Sequence, residues 1–207
     1  MDWAQLIPII MALIAAIGIP VALSRRKKGG QGKLEELHQH LQDIGIKAIP
    51  VDEKQAPGQA KKKRSLGERS EGSMTIQRMN IDSISVISVS SQYGVNYYLD
   101  YEVHSGSMPR KEASKKTKMT RKKSPPIWGK TVAVEWHGDS YLAQRLNLDY
   151  QLKHRLEQAA PEELKGGISI HPEPKHGYTR IRTDYQLLTR DLFEAIDTIA
   201  KHVKSGS

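Results

Sequence analysis

Charge is missing from one long stretch near the start of the chain and then arrives all at once. From Trp3 to Ser24 the sequence reads WAQLIPIIMALIAAIGIPVALS, 22 residues without Asp, Glu, Lys or Arg. As a helix rising ~1.5 Å per residue it would cover ~33 Å, against a hydrocarbon core of ~30 Å. The pattern predicts one transmembrane span. Pro8, Gly18 and Pro20 disfavour a soluble helix but are tolerated in a spanning one. A cleavable signal peptide is the competing reading. Asp2 in place of leading lysines, the length of the apolar run and the lack of a small-x-small site argue against it. Arg25, Arg26, Lys27 and Lys28 follow the run directly, and positive residues stay on the cytoplasmic side. The expectation is a single-pass protein of the cell membrane, N-terminus outside, body cytoplasmic, with residues 1–28 as anchor and basic stop.

Helical spacing follows. Leu34, Leu37, Leu41 and Ile44 recur at three, four and three residues, one stripe of a helix that Gly45 would end. Residues 29–49 therefore read as a short amphipathic helix and an extended segment. The stripe is under two heptads, too short to assert a coiled coil, so it is expected to pack on the body. Residues 50–72 are polar, contain Pro and Gly and have little to bury, which reads as a flexible linker.

From residue 73 the period is mostly two. MTIQRM and DSISVISVSS are rich in β-branched residues and run into the turn signal QYG. In VNYYLDYEVH, Val95, Tyr97, Leu99, Tyr101 and Val103 line one face, and Asn96, Tyr98, Asp100, Glu102 and His104 line the other. TVAVEW repeats the alternation with Val132, Val134 and Trp136 inward, and GISI and GYTRIRT are short strands around HPEPKHG. Two stretches return to helical spacing. Residues 139–158 carry Leu142, Leu146, Leu152 and Leu156 behind a cap at Asp139 or Ser140, and residues 189–206 carry Leu192, Ile196, Ile199 and Val203 behind Thr189. The predicted fold class is α+β: an N-terminal transmembrane helix, a linker, then a cytoplasmic domain over 73–204, mainly an antiparallel sheet with two helices on one face.

Charge changes this picture in one place. The net charge is +9, but residues 25–28 carry +4, KKKR at 61–64 another +4, and residues 110–123 carry +7, so the rest of the chain is acidic. The third patch lies inside the domain. If residues 113–121 pair back on the strand at 95–104, Asp100 and Glu102 would answer some of its lysines, but eight basic residues exceed what two acids can match. Lys115, Lys116, Lys118, Arg121, Lys122 and Lys123 are therefore the expected contacts for anionic lipid or an acidic protein partner. Nucleic acid is disfavoured, because no aromatic residue interrupts the run to stack on bases.

Candidate chemistry is sparse. There is no cysteine, which excludes disulfides, thiolate metal sites and cysteine nucleophiles. His137 and Asp139 flank a glycine at a strand-to-helix turn, and Arg180 and Arg182 share a strand face that would suit an anionic substrate. An enzyme would need these four in one concave pocket. The plainer reading is that Gly138 turns the chain, Asp139 caps the helix and the arginines sit on a polar sheet face. His171, Glu173 and His176 hold metal-binding atoms, but nothing in the spacing fixes both rings on one side, and no metal or other cofactor is expected. The sequence thus points to a non-enzymatic, membrane-anchored interaction or scaffold protein. A small membrane-bound enzyme and a membrane-tethered nucleic-acid binder are the alternatives.

Overall fold

The computed structural model describes residues 29–51, 67–104, 115–124, 130–160 and 163–206. Helix α1 covers residues 29–43. Strands β1 (Ala48–Val51), β2 (Glu68–Ile76), β3 (Ser83–Ser91), β4 (Gly94–His104), β5 (Thr117–Ser124) and β6 (Lys130–His137) follow, then α2 (Ser140–Leu148), α3 (Tyr150–Gln158), β7 (Ser169–Glu173), β8 (Tyr178–Asp184) and α4 (Arg190–Ser205). The strands form one sheet in the order β1-β2-β3-β4-β8-β7-β5-β6, with every pairing antiparallel. This is an α+β fold.

The expected arrangement of a transmembrane helix and two domain helices is corrected. Four α-helices are present among the described residues, and none of them is long and apolar enough to cross a membrane. The candidate span at residues 3–24 lies outside the described residues. One extra helix arises because 139–158 is not continuous. Asp149 leaves helical geometry (φ −79°, ψ 91°), and its carboxylate accepts the Leu152 N–H at 2.9 Å. Aspartate competes for backbone donors in this way and so favours caps over helix interiors. The break resets the helical phase, so Leu146 of α2 and Leu152 and Leu156 of α3 all reach the core.

All four helices pack on one face of the sheet. Leu37 and Leu41 of α1 are buried in the same cluster as Met74, Val86 and Leu99, and Tyr101 meets Phe193 of α4 edge-on. Gly45 sits at φ 77° and ends α1, with the Ile46 N–H returning to the Leu41 carbonyl. Thr189 holds the N-cap position of α4 without a side-chain capping bond.

Residues 68–72, polar enough to read as linker, form the first half of β2. They pair with β3 across a bulge between Ser70 and Gly72. Neighbour strands supply here what the local sequence lacks. Val132, expected inward, is exposed, because a bulge opposite Lys122 and Lys123 leaves it unpaired and gives the inner position to Thr131.

Both sheet edges are blocked. On β6 the Val134 N–H donates to Glu157 Oε1 at 3.1 Å, the Trp136 N–H to Asn147 Oδ1 at 2.9 Å, and Asn147 Nδ2 to the Trp136 carbonyl at 2.9 Å. On β1 the Lys47 carbonyl accepts from Gln77, so alternation turns Ala48 and Pro50 outward. Pro50 has no N–H to offer, and His38 Nε2 lies 3.2 Å from the Ala48 carbonyl. Edge-to-edge strand addition is thereby disfavoured.

Candidate functional site

Among the described residues no helix packs on the second face of the sheet, and its centre is charged. Register places Asp100 opposite Arg182, Arg182 opposite Ser169, Ser169 opposite Lys118 and Lys118 opposite His137. The adjacent row runs Glu102, Arg180, His171. Alternation along each strand keeps both rows on this face, away from Tyr101 and Ile181.

Of the two acids expected to meet the basic run, Asp100 binds the two arginines instead, and Glu102 lies opposite Arg180 in the register. Arg182 grips Asp100 with two hydrogen bonds, Nε to Oδ1 at 2.6 Å and Nη2 to Oδ2 at 2.9 Å, and its Nη1 reaches Glu68 Oε1 at 2.7 Å. Arg180 donates to Glu173 at 3.0 Å and to Asp100 at 3.4 Å. Ser83 Oγ donates to Glu102 at 3.2 Å. Asp100 is 3 % exposed, so these charges have left water and are held by bidentate geometry. Burial alone would lower the Arg182 pKa. The hydrogen bonds and charge of Asp100, then of Glu68, outweigh it and hold the guanidinium above its ordinary value. The Arg182 guanidinium also lies over the Tyr98 ring, 5.3 Å from its centroid.

Toward β5 the compensation ends. Lys115, Lys116 and Lys118 are exposed, and among the described residues they make no ion pair. Lys122 is exposed and lies 3.7 Å from Glu135, an exposed pair of little energetic weight. Partial loss of solvent, then the positive charges of Lys118, Arg182 and Arg180, hold the Lys116 pKa below its ordinary value. His171 is pushed down to about 4, by burial first, then by Lys116, Arg180 and Arg182, with Asp100 opposing. Its Nε2 lies 3.0 Å from Ser169 Oγ.

The remaining sequence candidates separate. Arg121 is part-buried and donates to the carbonyls of Leu164 and Gly166, so it ties β5 to the loop before β7. Burial holds its pKa below the ordinary arginine value. Lys123 pairs with Thr131 in the β5–β6 ladder. Residues 105–114, with Arg110 and Lys111, and the basic patches at 25–28 and 61–64 lie outside the described residues.

His137 shares the face of Arg180 and Arg182 but stands three strand spacings from Arg182, ~14 Å. Its ring reaches Thr120 Oγ1 at 3.2 Å and Glu135 at 3.6 Å. Asp139 turns to the other side and accepts the Leu142 N–H as the cap of α2. The four residues of the enzyme reading do not converge. Between them Gly138, at φ 135°, lets β6 pass so close to β5 that a Cβ would strike the Lys116 carbonyl.

Among the described residues no group of three His, Asp or Glu is placed to hold a metal. His171 is with Ser169, Glu173 with Arg180, and the His176 ring 6.0 Å from that of Tyr178.

No protein family, curated protein or solved structure matches this chain. Its chemistry is read from its own residues. Sequence reasoning missed Glu68, Ser169 and the cross-strand matching of Asp100 and Glu102 with Arg182 and Arg180. A signal for the last existed: two acids two apart on one strand and two arginines two apart on another fit side by side only on a shared face.

Proposed function

We propose that this protein is a non-enzymatic interaction module that docks a negatively charged surface through the β5 border of its charged sheet face, with anionic lipid headgroups as the partner. The observation that carries this reading is the contrast in compensation. The central arginines have their acids, while Lys115, Lys116 and Lys118 are exposed and without ion pairs among the described residues. Each lysine near an anionic leaflet contributes about 1 kcal/mol at most, so several must act together. Lysines at the start of β5 and just before it suit a flat array of phosphates. Residues 115–124 include no aromatic side chain for stacking bases.

The test is co-flotation of the full chain with neutral and with phosphatidylserine-containing vesicles, the difference between them being the charge-dependent part. The expected result is extra binding to anionic vesicles that salt removes. The variant with Lys115, Lys116, Lys118 and Lys122 changed to Gln should lose it. Equal binding to both vesicle types, or an unchanged anionic preference in the variant, overturns the reading. Binding of acidic proteins with no preference for anionic vesicles would move the partner class to protein.

A further inference from the structure

The crowding of cations around one uncharged imidazole marks a smaller and more specific place within this border. His171 of β7 has Lys116 beside it from the β5 side and Arg180 and Arg182 from β8, with Lys118 opposite Ser169 two residues along β7. The acids facing the cluster are Asp100 and Glu102 on β4, Glu68 on β2 and Glu173 on β7 itself. Asp100, Glu68 and Glu173 are already bound to the two arginines. No carboxylate among the described residues pairs with Lys116 or Lys118, and the buried Arg180 Nε–H has no acceptor there. Ser169, directly opposite Lys118, adds a hydroxyl. Around the Ser169–His171 pair, the ammonium groups of Lys116 and Lys118 and the Arg180 Nε–H therefore lack an acceptor among the described residues.

We propose that Lys116, Lys118, Ser169 and His171, backed by Arg180 and Arg182, form a binding site for a phosphoryl group. The chemistry fits a tetrahedral, multiply charged anion. Its several oxygens accept from separate donors, and charge-assisted bonds of this kind are stronger than neutral ones. An anion seated here would also oppose the positive charges that, after burial, hold the His171 pKa down, which favours uptake of a proton by the imidazole as the site fills. The proposal rests on the anionic-surface reading above and narrows it to one group. A lipid phosphate and free inorganic phosphate share this chemistry.

The experiment follows the His171 ring by NMR in the full-length protein, its signal assigned by its loss in His171→Gln. Inorganic phosphate is added against chloride at matched ionic strength, and a parallel arm uses vesicles carrying phosphatidic acid. The expected result is a rise of the His171 midpoint by at least about one pH unit from its starting value of about 4 with phosphate and not with chloride. The paired change Lys116→Gln, Lys118→Gln should weaken phosphate binding by about tenfold or more. Lys201→Gln, exposed on α4, should leave it unchanged. A response to phosphatidic acid vesicles far stronger than to free phosphate assigns the group to a lipid headgroup, and the reverse assigns it to a soluble ligand. A His171 signal unmoved by both, in folded protein, overturns the proposal. Retained charge-dependent flotation in that case leaves the broader docking reading standing, and its loss brings down both.

Discussion

The two faces of the sheet meet between neighbouring residues. Tyr101 faces Ile181 across β4 and β8 on one side, and one residue along on each strand Asp100 faces Arg182 on the other. Both pairs are largely out of water, but they hold for different reasons. The first is non-directional and depends on the volume it fills, with Phe193 closing over Tyr101. The second depends on each hydrogen bond being made, because buried charges are costly to desolvate and repay it only when fully paired. The apolar face accordingly carries the helices and settles the fold. Among the described residues the charged face is matched at its centre and unmatched at its β5 border, and that border is where the proposed partner would have something to gain.

The charged face is most vulnerable at Asp100. Asp100→Ala should destabilise the protein by about 3–5 kcal/mol, because it removes the buried carboxylate that two part-buried guanidinium groups share. Replacing Asp100 and Arg182 together by Leu and Met should recover most of that loss. Urea denaturation midpoints check both, and a double variant no better than the single would mean the pair is not the unit proposed. On the other face, Ile196→Ala, in the core on α4, should cost about 2–5 kcal/mol and leave anionic binding unchanged. A parallel loss of binding would show that the faces are not independent.

Smaller effects come from the titrating groups. Asp149 caps α3 and pairs with His202 at 2.7 Å. Burial tends to raise its pKa, but His202 and the amides of Leu152 and Gln151 together hold it below the ordinary carboxylate range. The stability it adds is present above the unfolded carboxylate pKa and is lost as pH falls through the lower folded value. Asp149→Ala should cost about 1 kcal/mol near neutrality and flatten the acid limb of the stability curve. His171 has the opposite chemistry and the same direction. Between about 4 and the ordinary histidine value the unfolded chain binds the extra proton, so stability falls as pH is lowered through that window. His171→Gln should remove that slope, which pH-dependent urea midpoints would reveal.

Much of the apolar face is legible in the sequence and little of the charged one. The alternation at 95–104 and the stripe through Leu192, Ile196, Ile199 and Val203 are local patterns, and local periodicity reports which residues turn inward. Asp100 and Glu102 are visible as a polar face, but their partners come from β8, some 80 residues on, and from Glu68. No local pattern encodes that pairing. The helix break at Asp149 is masked because both halves keep leucines at helical spacing, and only the cap at Leu152 distinguishes two helices from one. Residues 68–72 look like linker because their strand pairing is supplied by β3. Among the candidate residues, Lys116 and Lys118 stand out by charge alone, whereas Ser169 and His171 join them only through the β5–β7–β8 register.

Under the proposed function an anionic surface docks at the β5 border. Paramagnetic broadening from a spin-labelled anionic lipid, read on the amides of the full chain, tests this most directly. The strongest broadening is expected at Lys116, Lys118 and Lys122 and their neighbours on β7, with Lys201 and the helix layer unaffected. Broadening centred on α2–α4, or absent from β5 while vesicles are bound, would contradict it.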